Sequence, residues 1–207
     1  MPRPPTASRT APAAAPAPIP YVVGPPEPGV IAQALGALPG LELALPDIGA
    51  SAHVRLELPL GRGPAAFMGG KSALWAWRSH RQGEAPAHAL GPPQVGREVI
   101  GVQRSGSVTV LQGLRVMTLS DEERRWGMTL GSVSGQVYRV WERLLVEWHL
   151  DDRVAFQVSS HHEVAPAGAR LLRRGLLAPL LIAARRGTVQ GYLRAMQEVQ
   201  DREQPGD

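Results

Sequence analysis

The stretch "YRVWERLLVEWHLDDRVAFQVSSHH", Tyr138 to His162, alternates between apolar and polar side chains on both sides of a short polar segment, LDDR at 150–153. Successive side chains of a β-strand point to opposite faces of the sheet, so this alternation predicts two half-buried strands. The tight connection predicts that they are antiparallel neighbours. The pair decides the fold class, because an antiparallel sheet with one apolar face needs another element to cover that face.

The same alternation assigns the faces of both strands. The predicted inner face of the first strand carries Tyr138, Val140, Glu142, Leu144, Val146 and Trp148. The second strand adds Val154, Phe156, Val158, Ser160 and His162, and another inner wall is predicted at Trp126, Met128 and Leu130. Glu142 is therefore a carboxyl group on an apolar face. It must find a partner or take up a proton, because desolvation raises a carboxyl pKa.

Outward from this pair, turn residues at 104–107 and 120–124 predict further strands in a meander from Arg97 to His162. The alternating segment 51–61 predicts one more strand. Residues 25–40 predict a short helix that stops at Pro39-Gly40, and Gly63-Pro64 predicts the start of a second helix that ends around Gly83. A long helix is predicted from about Gly168. Its apolar run LLAPLLIAA is far shorter than the roughly 20 residues that span a bilayer, so no membrane span is predicted.

Composition sets the domain organisation and excludes several functions. A length of 207 residues fits one domain, predicted at 21–200, with a disordered Pro/Ala-rich extension at 1–20 and a disordered tail at 201–207. The extension lacks the apolar core of a secretory signal. The absence of cysteine excludes disulfides, thiolate nucleophiles and Cys-ligated zinc, and a cytoplasmic location is the simplest inference.

Several motifs resemble known sites but fail in detail. GGKS at 69–72 lacks the earlier glycine of a phosphate-binding loop, since Ala65 stands there, so Lys71 is predicted to be a solvated helix residue. GSVSG at 131–135 has Val133 where a nucleophilic serine would be. His161 and His162 would point to opposite faces of a strand, so no metal site is predicted, and no cofactor is expected. The terminal-helix arginines lack stacking aromatics except Tyr192, so nucleic acid ranks last among possible partners.

Four further segments together resemble a known family. One is LPDIGAS, Leu45 to Ser51, and another runs from Pro179 to Met196. The remaining matches in helix and strand blocks are Gly61, Gly63, Phe67, Trp77, Arg78, His80, Gly127, Gly131, Gly135, Glu142, Val146 and Glu147. In their order these segments resemble the bacterial and plant domain of unknown function numbered nineteen-ninety, which belongs to the helix-grip superfamily with START-like lipid-transfer domains and the birch-pollen allergen.

The resemblance implies an α+β helix-grip fold, in which a curved antiparallel sheet wraps around a long C-terminal α-helix after one or two N-terminal helices. The likeness spans roughly residues 21–196 and implies no established activity. The chain departs from the family pattern where tyrosine, threonine, histidine and glutamate would be expected, at Leu130, Ser132, Gln136 and Trp141, and again at the segment SSHH. The role of these departures stays open, and polar chemistry that depends on them is not carried over.

Three hypotheses about function follow. The first is a noncatalytic protein that binds an apolar or amphipathic small molecule or lipid in a cavity between sheet and terminal helix. Its candidate ligand-binding residues are Glu142, His80, Trp77, Tyr138, Trp126, Met128, Leu130, Phe156 and His162. The second is an enzyme of the polyketide-cyclase or hydrolase type, with Glu142 as acid or base beside His80 or His162. The third is an interaction module without a cavity. Glu142 could equally be a structural group bound to an arginine such as Arg78 or to backbone N–H groups. Oligomeric state stays open.

Overall fold

The computed structural model describes residues 21–49, 51–78, 87–105, 107–166, 168–169, 191–192 and 196. Within them, the helices and strands follow in the order β1 (Tyr21–Val23), α1 (Pro28–Gly36), β2 (Ala52–Arg62), α2 (Gly63–Trp75), β3 (Ala87–Ala89), β4 (Glu98–Ser105), β5 (Val108–Glu122), β6 (Arg125–Ser132), β7 (Tyr138–Trp148) and β8 (Arg153–Val164). The segment 138–162 therefore forms two strands, β7 and β8, as the alternation predicts.

The strands make one antiparallel sheet in the order β2-β8-β7-β6-β5-β4-β3, and β1 pairs with the free start of β5. Strands β4 to β8 are consecutive neighbours, which confirms the meander. β7 and β8 pair in register along their whole length, and Glu142 faces Ser160 across the ladder. Irregular pairing between Pro59 and Gly61 interrupts the β2–β8 ladder, and irregular pairing between Val116 and Thr118 interrupts the β5–β6 ladder. Such bulges bend a strand and increase its twist.

Helix α2 begins as predicted, with Pro at its first turn, but the predicted end around Gly83 is wrong. The helix ends at Trp75, because Trp77 adopts a left-handed backbone conformation with φ of 56° that an α-helix cannot continue. The Trp77 ring is buried, and its Nε1–H donates to the carbonyl O of Gly91 at 2.9 Å. Burial and this bond hold the strained conformation, which no glycine marks in the sequence.

Lys71 lies on α2 as expected and pairs with Asp121 at the end of β5, with 2.6 Å between Nζ and Oδ1. The ammonium side chain is 27% exposed and the carboxylate 62%. Ion pairs this exposed stabilise a fold by at most about 1 kcal/mol. Within the described residues the GGKS segment is part of a helix, so it is no phosphate loop.

Two apolar clusters cover the two faces of the sheet. The inner cluster joins α2, both halves of the sheet and the C-terminal residues Tyr192 and Met196. The outer cluster packs Ala34 and Leu38, from α1 and the residues after it, onto Ile100 and Leu111 of the sheet. Strands β4 and β5 are thus covered on both faces, which explains why every residue of 109–114 is buried.

The structure confirms the α+β fold class, with a large antiparallel sheet and α-helices on it. Most of the predicted terminal helix lies outside the described residues. The described residues 191–192 and 196 are helical, and Tyr192 and Met196 are buried in the inner cluster. In the part of the chain that the structure describes, no helix is long and apolar enough to cross a membrane.

Candidate functional site

Glu142 lies in the middle of β7 with its side chain on the inner face, and it is 3% exposed. Its carboxyl Oε2 accepts a hydrogen bond from the Tyr192 hydroxyl at 2.9 Å. Its cross-strand neighbour on β8, Ser160, makes a second side-chain hydrogen bond to the carboxyl group. The carboxyl group therefore ties the sheet to the C-terminal part of the chain.

Ser160 extends this contact to a histidine. Its Oγ lies 2.5 Å from Nε2 of His162, two residues further along the same strand. When the Ser160 hydroxyl donates its hydrogen bond to the Glu142 carboxylate, its oxygen can only accept a hydrogen bond from His162. That bond requires a hydrogen on Nε2 of His162. The hydrogen bonds then run from His162 through Ser160 to Glu142, with Tyr192 donating from the other side. Two hydroxyl groups, those of Ser160 and Tyr192, thus donate hydrogen bonds to the buried carboxyl group.

Burial dominates the protonation of Glu142. Desolvation raises its pKa from 4.5 to about 7, and the hydrogen bonds from Tyr192 and Ser160 oppose that rise. The pKa of Tyr192 is raised well above its ordinary value by burial and by the nearby carboxylate. Near neutral pH this carboxyl group is therefore populated in both its protonated and its charged form, beside a phenol that keeps its proton.

A small cavity of about 30 Å³ adjoins this cluster, and Glu142, His162, Tyr192 and Gln112 are among its lining residues. That volume is close to what one water molecule occupies in the liquid. Gln112 is 2% exposed, and its Nε2 donates to the backbone carbonyl O of Tyr138 at 3.1 Å. Its Oε1 has no hydrogen-bond partner among the described residues. The cavity thus has polar groups of both kinds, donors and acceptors.

A much larger cavity of about 540 Å³ lies between α1, Trp77 and the short edge strand β3. We call it the α1 groove. Its lining is almost wholly apolar: Pro28, Ile31, Ala32, Leu35, Trp77, Ala87, His88, Ala89 and Leu90. Burial lowers the pKa of His88, so this one polar ring favours its neutral form. Ala87 lines both the α1 groove and the small cavity beside Glu142, so the two spaces are neighbours.

The structure brings some of the predicted site residues together and separates others. Glu142 and His162 share the small cavity, whereas Trp77 lines the α1 groove. Tyr138 lines a third cavity of about 260 Å³ with Gln136 and Arg139, and burial raises its pKa to about 12. The remaining apolar candidates, packed in the inner cluster, are Trp126, Met128, Leu130 and Phe156. His80 lies outside the described residues.

Three polar groups at Glu142 were not among the candidate site residues: Ser160, which the alternation placed on the inner face, Tyr192 and Gln112. Tyr192, and not Arg78, is the partner from outside the sheet, and Gln112 on β5 lines the same cavity. Gln112 carries a sequence signal, since it interrupts the apolar run of β5 in the inner register of Val110 and Leu114. Tyr192 carries none, because its contact with Glu142 joins residues 50 positions apart.

Among the described residues no three His, Asp or Glu side chains cluster closely enough to hold an ion. His161 and His162 point to opposite faces of β8, since His161 stacks on His53 with ring centroids 4.3 Å apart, whereas His162 lines the inner cavity.

The antiparallel sheet and the helices that pack on it define a protein of the α+β class. The chain belongs to the family described as domain of unknown function (DUF1990), whose model matches residues 13–195. No functionally curated protein matches it.

Solved structures of similar fold are distant in sequence. A hypothetical protein from Helicobacter pylori is 15% identical, with a TM-score of 0.50 over 70% of this chain and 85% of that one. Truncated norcoclaurine synthase from Thalictrum flavum is 14% identical, with a TM-score of 0.46 over 76% of this chain and 96% of the synthase. Ginseng major latex-like protein 151 from Panax ginseng is 10% identical, with a TM-score of 0.44 over 75% and 99%. At such identities the likeness to the Helicobacter protein shows the fold alone.

Proposed function

We propose that this protein binds a small amphipathic molecule, whose apolar body occupies the α1 groove and whose polar end turns toward Glu142. The observation that carries the proposal is the shared wall at Ala87, where an apolar space of about 540 Å³ meets the polar cavity of the buried acid. Small-molecule sites in proteins usually have volumes of about 300–1,000 Å³ and few, well-placed polar groups. The groove and the acid together have that character.

The small cavity alone would not hold such a ligand. At about 30 Å³ it accommodates a single polar group of a larger molecule. A hydroxyl or carboxyl group there could donate to Gln112 Oε1 and exchange hydrogen bonds with Glu142, whose pKa of about 7 lets it donate or accept near neutral pH. This versatility favours ligands with a terminal hydroxyl or carboxyl group over purely apolar ones.

The test uses a fluorescent amphipathic dye, 1-anilinonaphthalene-8-sulfonate, together with native mass spectrometry of the purified protein. Ala32→Trp would fill the α1 groove from an exposed position of α1, and Gln33→Trp, also exposed on α1 but outside the lining, is the matched control. We expect Ala32→Trp to weaken dye binding at least tenfold and Gln33→Trp to leave it unchanged. Equal binding by both variants would contradict the proposal and favour an interaction module without a ligand.

One observation favours a second candidate, an enzyme that uses Glu142 as acid or base. The series His162, Ser160 and Glu142 connects a histidine to a carboxyl group whose pKa of about 7 suits proton transfer near neutral pH. Glu142→Gln separates the two candidates, since it keeps the shape and polarity of the site but removes the transferable proton. An enzyme would lose turnover while still binding its substrate, whereas a binding protein would show no turnover in either form.

A further inference from the structure

The outer face of the sheet carries a basic and aromatic pocket on the side opposite Glu142. The pocket has a volume of about 200 Å³ and is lined by His53, Arg55, Trp141, Arg143, Leu145, Gln157, Val158 and Ser159. No acidic residue occurs in that described lining. We call it the arginine pocket.

Strand register aligns its two arginines. Arg55 on β2 and Arg143 on β7 both pair with Ser159 on the strand between them. Adjacent strands lie about 4.8 Å apart, so the Cα atoms of the two arginines are separated by about 10 Å. Two arginine side chains bridge that span easily, so both guanidinium groups can contact one molecule above Ser159.

Both guanidinium groups are available for a ligand. Arg55 and Arg143 are exposed, and neither makes an ion pair or hydrogen bond with the described residues. On the same face Arg139 pairs with Glu163, and Arg125 with Glu147. Glu57 lies two residues from Arg55 on β2 and is not among the pocket's lining residues. The two free positive charges therefore lie together at the pocket.

The next row of side chains is aromatic. The His53 and His161 rings stack with centroids 4.3 Å apart, and Trp141 meets His161 edge-on at 5.6 Å. Hydrogen bonds hold both imidazoles, one between His53 Nε2 and Ser159 Oγ at 3.0 Å and one between His161 Nδ1 and Ser51 Oγ at 2.9 Å. Three aromatic rings, two of them held by hydrogen bonds, thus border the two arginines.

We propose that the arginine pocket binds a small aromatic phosphomonoester, with the phosphoryl group between Arg55 and Arg143 and the ring against Trp141. One bidentate arginine uses both oxygens of a carboxylate, whereas the three outer oxygens of a phosphoryl group can accept from two arginines on opposite sides. A phosphomonoester carries about −1.5 to −2 charges near neutral pH, which two guanidinium groups balance. This site is independent of the proposed ligand in the α1 groove, since it is lined by β2, β8 and β7, whereas the groove adjoins the edge strand β3 at the other end of the sheet.

Isothermal titration of the full chain with phenyl phosphate tests the proposal. Arg55→Gln and Arg143→Gln should each weaken binding about tenfold or more, the usual effect of losing a charge-assisted hydrogen bond. Arg62→Gln is the matched control, an exposed arginine on β2 outside the described pocket lining, and should bind as the unchanged protein does. Because all three arginines are exposed, the variants should fold, and equal thermal midpoints would verify this.

Three further ligands test the chemistry. Benzoate should bind more weakly than phenyl phosphate. Trp141→Leu should weaken the binding of phenyl phosphate but leave the binding of inorganic phosphate unchanged. No detectable binding of phenyl phosphate, equal loss in Arg62→Gln, or benzoate binding as tightly as phenyl phosphate would each overturn the proposal. A short single-stranded oligonucleotide that binds more tightly than phenyl phosphate would also overturn the proposal, if Arg62→Gln weakens its binding as much as Arg55→Gln and Arg143→Gln do. That result would indicate a general basic surface.

Discussion

Among single residues, Glu142 has the environment most sensitive to pH. Its carboxyl group is buried on an apolar face, and its pKa of about 7 lies well above the value of 4.5 in an unfolded chain. Between these two values the folded protein binds more protons at this site than the unfolded chain does. The free energy of unfolding therefore falls as pH rises through that window.

Glu142→Gln should remove this pH dependence, because an amide does not titrate. The shift from 4.5 to about 7 corresponds to a loss of about 3 kcal/mol in the free energy of unfolding between pH 4.5 and pH 8. Urea denaturation at both pH values should show that the free energy of unfolding falls by this amount more in the unchanged protein than in Glu142→Gln. Burial lowers the pKa of His88 and His161, which acts in the opposite direction in both proteins and cancels in the comparison. Parallel pH profiles would contradict the assignment.

Sequence reasoning reaches the position of Glu142 but not its partners. Because side chains of a strand alternate between its two faces, residue 142 lies on the same face as Val140 and Leu144. This holds independently of the rest of the chain. Tyr192 comes from the far end of the chain, so its contact depends on how the C-terminal residues cross the sheet. That crossing is a tertiary property with no local pattern.

At the level of strands and helices, β6 and β7 approach closely at a glycine. A Cβ added to Gly127 would collide with the backbone O of Leu144 and lie 3.0 Å from the Cα of Leu145. Backbone atoms in a paired strand cannot move aside without breaking the ladder. Gly101 on β4 differs, because a Cβ there would be in ordinary contact at 3.8 Å with Gln112.

We therefore expect Gly127→Ala to lower the free energy of unfolding by about 2 kcal/mol or more, as overpacking usually does. Gly101→Ala is the matched strand control and should be neutral or slightly stabilising, since alanine restricts the unfolded chain. Chemical denaturation of both variants beside the unchanged protein measures the difference. Similar losses in both would show that a general strand preference, and not this contact, determines the effect.

Strand and helix types were predictable, but one boundary was not. Alternation and turn residues predict β7 and β8 because each side chain contributes independently to the pattern. The end of α2 depends on Trp77, whose left-handed conformation is held by a buried ring and a bond to Gly91. A residue that is neither glycine nor asparagine gives no local signal for such a conformation.

Considered as a whole, the molecule has one sheet with an apolar cluster on each face. Strands β4 and β5 belong to both, since Val99 and Val110 pack inward, whereas Ile100 and Leu111 pack outward. Loss of either cluster would expose one side of the same strands. The two faces are therefore expected to unfold together.

We expect a single unfolding transition in urea, seen identically by far-ultraviolet circular dichroism and by tryptophan fluorescence. Trp126, 1% exposed in the inner cluster, reports on packing, whereas circular dichroism reports on backbone structure. Two transitions, or midpoints that differ between the probes, would contradict this expectation. A Leu38→Ala variant provides the control, since a weakened outer cluster should shift both curves equally.

The pairing of Lys71 with Asp121 has a practical consequence. Lys71 is the only lysine in the chain. Apart from the α-amino group, an amine-reactive dye would therefore attach at one defined side chain, on α2 beside the end of β5. Labelling removes the ammonium charge and releases a largely exposed aspartate, a small perturbation, so a fluorophore there can report movement between helix and sheet without any engineered cysteine.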